Sequence, residues 1–80
     1  MQINEVVRAL LDHSGKSARS ISIALGKADN WARLTARNSQ NPKLGTIANV
    51  ADLAGCDIAI VDRATGETIA TIDPPKRGED

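Results

Sequence analysis

Between Gly26 and Arg37 the chain gathers side chains suited to hydrogen bonding rather than to bond making: Lys27, Asp29, Asn30, Arg33 and Arg37. An amide offers donors and an acceptor side by side, and a guanidinium offers a planar fork of donors. Groups suited to covalent or acid–base chemistry are scattered by contrast. His13 has no Cys or His partner at metal-ligand spacing and reads as a helix-end residue favourable to the macrodipole. Cys56 lacks the basic neighbours that lower a thiol pKa and reads as an inert, buried residue. The acidic residues of the second half form no pair for general acid–base work, and the glycines stand singly rather than in a phosphate-binding loop. No enzyme activity, cofactor or metal is expected.

The elements that must position those polar groups follow from periodicity. Ile3, Val6, Val7, Leu10 and Leu11 repeat at helical spacing, so a first helix is expected to end near His13, with Gly15 as its stop. Ser17 reads as the N-cap of a second helix, whose Ala18, Ile21, Ala24 and Leu25 face inward. Gly26 ends that helix and allows a sharp turn into a third, running to about Arg37, with Asp29 as a favourable charge at its start. The helix after such a turn is the one that proteins of this build insert into the DNA major groove. A polar loop over residues 38–41 leads to Pro42, expected at the first position of a fourth helix that carries Leu44, Ile47, Val50, Ala51 and Ala54 and ends at Gly55. The period then changes. Residues 57–61 and 67–72 are rich in β-branched side chains and flank a turn-forming stretch, which predicts a β-hairpin. Residues 73–80 are read as a disordered tail.

Composition and charge narrow the class. Eighty residues with one aromatic side chain, Trp31, make one small domain whose core is aliphatic, so dimerisation would help it. The single cysteine suits a reducing compartment, and neither a leader nor a bilayer-spanning stretch is visible, so a cytoplasmic protein away from membranes is expected. Net charge is zero but unevenly spread. Residues 1–43 hold seven basic against three acidic side chains, and residues 44–80 hold the reverse. A basic half joined to an acidic half is the asymmetry of a nucleic-acid binder.

Over residues 17–56 the chain resembles the lambda-repressor and Cro-like helix-turn-helix regulators, the Xre family. The resemblance rests on inward Ile21 and Leu25, small Ser22 at the helix crossing, Gly26 at the turn, Pro42 in the loop, and Leu44-Gly45-Thr46-Ile47. The alanine-rich close, Val50-Ala51-Asp52-Leu53-Ala54-Gly55-Cys56, completes it. Four departures stand out: Lys27 where an apolar residue is usual, Ala28 where a Ser or Thr cap is usual, and Ala32 and Thr35 where large aliphatics are usual. Either Trp31 and Leu34 take over part of that packing, or the third helix is lightly anchored. The resemblance implies a mostly α fold, a four-helix helix-turn-helix domain over residues 1–56 followed by the hairpin. It also implies that Asp29, Asn30, Trp31 and Arg33 reach base edges. Asn suits adenine and Arg suits guanine, whereas Asp29 serves as a cap, orders Arg33 or accepts from a cytosine amino group. Lys16, Ser17, Arg19, Lys27, Arg37, Asn38 and Lys43 are the expected phosphate contacts. Trp31 read by itself is a core anchor more often than a ligand.

The function expected on these grounds is a sequence-specific DNA-binding transcriptional regulator, of the phage or mobile-element repressor type. One reading unit buries too little for tight specific binding, so a homodimer on a pseudo-palindromic operator in double-stranded DNA is expected. Ile58, Ile60, Ile69 and Ile72 of the hairpin, residues 57–72, are the expected dimer contacts. Two other classes compete: an antitoxin whose acidic half holds a toxin partner, and an interaction module that reuses the helices without touching DNA.

Overall fold

The computed structural model describes residues 1–38 and 41–75 and contains four helices followed by a two-stranded antiparallel hairpin. Helix α1, Ile3–Ser14, opens where the Glu5 carboxylate accepts the Gln2 backbone N–H at 2.6 Å, and it closes at Gly15. Its apolar stripe buries Val7 fully and lays Leu10 and Leu11 against the core. Helix α2, Ala18–Ala24, is capped as its sequence predicts, with the Ser17 hydroxyl accepting the Ser20 N–H at 3.0 Å. Helix α3 is Trp31–Arg37 and helix α4 is Leu44–Leu53.

Helices α2 and α4 end by the same device. After α2, Gly26 takes φ 73°, and the Lys27 N–H reaches back to the Ser22 carbonyl at 2.9 Å. After α4, Gly55 takes φ 74°, and the Cys56 N–H reaches the Ala51 carbonyl at 2.8 Å. A left-handed residue here satisfies carbonyls that the helix leaves open, and glycine adopts it without a Cβ clash. Pro42 differs from its expected place. The N-cap of α4 is Lys43 and the first helical residue is Leu44, so the proline precedes the cap. There its fixed φ and missing N–H still cost the helix nothing.

Ile21, Ala32 and Val50 form the centre of the core, ringed by Leu10, Leu11, Ala18, Leu25, Trp31 and Leu53. Ala32 and Thr35 are both fully buried, and Trp31 and Leu34 are half-buried beside them. The two small residues thus let α3 come close to its neighbours while the two large ones close its flanks. Of the two residues expected to take over that packing, Trp31 lies against the core cluster and Leu34 is half-buried. Among the described residues no helix is long and apolar enough to cross a membrane.

Strands β1, Ile58–Val61, and β2, Thr68–Ile72, pair antiparallel with Ile58 opposite Ile72 and Ile60 opposite Ala70. The Asp62 carboxylate accepts the N–H groups of Ala64 and Thr65 at 2.8 and 3.1 Å, the bonding of an Asx-type turn. The register slips between Ile60 and Val61, so Val61 faces Thr68 and Ile69 is the extra residue of a bulge. The four isoleucines therefore do not make one surface. Ile58, Ile60 and Ile72 share a face, while Ile69 projects to the other, because strand side chains alternate. Of the tail, Pro75 lies close enough to Gly45 that a Cβ there would meet its ring at 3.0 Å, and residues 76–80 lie outside the described residues.

Candidate nucleic-acid interface

One side chain links α2 to α3 by hydrogen bonds. Ser22, fully buried, donates its hydroxyl to the Ala18 carbonyl at 2.9 Å and accepts the Ala32 N–H at 2.8 Å. Ala32 is the second residue of α3, so its N–H has no partner within its own helix. The N-cap residue Asn30 makes no side-chain cap bond. A hydroxyl from α2 thus caps α3, and the Asn30 amide is left free of that task.

The inner face of α3 is Ala32, Thr35 and Ala36. Asn30, Arg33 and Arg37 are spaced three and four apart, fall on the opposite face, and are all exposed. At the end of α3, Arg8 and Asn4 of α1 donate to the Ala36 carbonyl at the long distances of 3.4 and 3.5 Å. Ala18, Arg19, Asp29, Asn30 and Arg33 line a shallow cleft between the start of α2 and the start of α3. Within it the Arg19 Nε stands 3.6 Å from the Asp29 carboxylate, both side chains being largely exposed.

Comparison with family models, curated proteins and solved structures finds no match for this chain.

Several expected contacts take up other duties. Asp29 does not cap α3, because the helix begins two residues later and the crossing of α2 brings Arg19, not Arg33, to its carboxylate. Trp31 is half-buried against the core cluster, with the Lys27 ammonium 5.7 Å from its ring centroid, within cation–π range. It serves as an anchor, and Lys27 is drawn toward it. Ser17 is committed to capping α2. The Lys16 ammonium donates to the Leu53 carbonyl at 3.0 Å, a cation placed at the C-terminus of α4. Asn38, after α3, and Lys43, before α4, are exposed. Of the polar loop over residues 38–41, residues 39 and 40 lie outside the described residues.

On the hairpin, Ile58 and Ile72 are half-buried at the end nearer the helices, whereas Ile60 on their face and Val61 and Ile69 beyond it are exposed, Ile69 to 65%. Sequence reasoning did not foresee the Arg19–Asp29 pair, the Ser22 bridge or the Lys16 cap. Each joins residues ten or more apart in the chain, and no local spacing signals them.

Proposed function

We propose that this chain is a DNA-reading regulator of the helix-turn-helix kind, with α3 entering the major groove and α2 lying across it. The observation that carries the reading is the outward stripe of α3. It presents an uncommitted amide, Asn30, and two guanidinium groups, Arg33 and Arg37, on a helix that α2 caps and whose opposite face is fully buried. Asn and Arg make the bidentate base contacts that discriminate adenine and guanine, and a rigidly seated helix delivers them in a fixed register. Arg37, at the far end of the stripe, and Arg19 and Lys43 beside it serve as phosphate contacts.

The second half completes the reading as a dimer. A two-stranded sheet is marginal by itself, and this one leaves Ile60, Val61 and Ile69 in water on its two faces. A second copy of the chain is the occupant that fits. Pairing through residues 57–72 covers the same apolar groups on both subunits and presents two α3 helices to a pseudo-palindromic operator. An acidic hairpin also keeps like-charged DNA away from the dimer contact.

Selection of bound sequences from a random duplex library, with affinity followed against salt, is the deciding experiment. An enriched site with two half-sites about one helical turn apart supports the regulator. Absence of any salt-dependent duplex binding rejects it in favour of a protein-interaction module. Recovery of a heterologous toxin in place of a second copy would favour the antitoxin reading.

A further inference from the structure

Asp29 poses a problem for the interface just described, on which this inference rests. It places a carboxylate at the mouth of a cleft otherwise lined by Arg19, Asn30 and Arg33, where a polyanion is to approach. It contributes no cap to α3. Its ion pair with Arg19 is exposed on both sides, and exposed pairs contribute little stability. A charge that neither caps nor stabilises is best understood by what it does to the ligand.

We propose that Asp29 is a specificity-determining residue that acts by weakening binding to the wrong DNA. Non-specific complexes are held almost wholly by phosphate contacts. With its carboxylate 3.6 Å from the Arg19 guanidinium, Asp29 offsets the charge of one such contact, and it repels the backbone as the duplex nears α3. The cognate complex escapes this cost. With Asn30 and Arg33 seated on base edges, the carboxylate faces the major-groove floor, where a cytosine amino group is a donor it can accept. The charge therefore lowers non-specific affinity more than specific affinity, which is how discrimination is raised without adding contacts.

The test compares the full-length protein with Asp29→Asn on a random duplex and on the selected operator. Neutralisation is expected to raise affinity for the random duplex about three- to tenfold and to steepen its salt dependence by about one unit, as one regained phosphate contact would. Affinity for the operator should stay level or fall, so the specificity ratio drops. In an Arg19→Ala background the gain on random DNA should shrink to the part due to the repulsion of the carboxylate itself. Asp12→Asn, an exposed neutralisation on α1, controls for net charge and should leave both affinities unchanged.

Equal gains on both duplexes, no change on either, or the same gain from Asp12→Asn would each overturn the proposal. An undiminished gain without Arg19 would overturn the pairing as a route. Wild-type protein that binds neither duplex rejects the DNA-reading function itself. Wild-type binding with an unchanged Asp29→Asn variant rejects this inference alone.

Discussion

Ser22 and Thr35 are both fully buried hydroxyl residues at helix contacts, yet only one is bonded. Ser22 Oγ bridges Ala18 and Ala32, while Thr35 Oγ1 has no hydrogen-bond partner among the described residues. Their substitutions should therefore differ in sign. Ser22→Ala strands the Ala32 N–H and is expected to cost about 1–3 kcal/mol in denaturant unfolding. Thr35→Val removes an unsatisfied hydroxyl at nearly constant volume and is expected to stabilise by about 1 kcal/mol. A destabilised Thr35→Val protein would mean that the hydroxyl is satisfied in solution. On the outer face, Arg33→Ala should weaken operator binding by about 1–3 kcal/mol and relax preference at one base pair. An equal loss on operator and random duplex would mean that Arg33 touches only phosphate.

Elements assign the basic side chains to different tasks. Lys16 lies in the turn between α1 and α2, but its ammonium is bound at the end of α4. Arg37 lies on the exposed stripe of α3 and has no comparable carbonyl partner among the bonds described. Neutralising Arg37 should flatten the plot of log affinity against log salt by about one unit. Neutralising Lys16 should leave that slope unchanged and instead lower stability by about 0.3–1 kcal/mol through the lost α4 terminus contact. The reverse pattern would move Lys16 into the interface and Arg37 out of it. The hairpin is the element least supported by the rest of the chain, since of its isoleucines and valine only Ile58 and Ile72 are half-buried while Ile60, Val61 and Ile69 are exposed.

At the scale of the whole molecule the proposed dimer can be tested. Ile69→Lys should leave the helical domain folded, because the side chain is mostly in water in the single chain. It should shift sedimentation at micromolar concentration from dimer toward monomer, and operator affinity should fall toward the level seen on random DNA as the second reading helix is lost. A variant that remains dimeric would place the contact elsewhere than the bulged face of the hairpin. A wild-type monomer that binds a palindromic site tightly would remove the dimer from the account.

Local spacing alone determined the order of elements in this protein. The apolar stripe of α1, the Ser17 cap, the glycines after α2 and α4 and the β-branched runs of the hairpin act within one or two turns of chain, so each is legible from its neighbours. The odd spacing of Ile69 and Ile72 implied opposite faces, and the bulge at Ile69, across from the Ile60–Val61 step, set the register between the strands. What the charged and polar groups do was decided only in three dimensions. Arg19 meets Asp29 across the turn, Ser22 meets Ala32 ten residues on, and Lys16 meets Leu53 thirty-seven residues on. Those meetings depend on how closely the helices approach, which the small buried surfaces of Ala32 and Ser22 permit. Periodicity identifies the face a residue occupies, but the partner it finds there depends on the packing of whole helices.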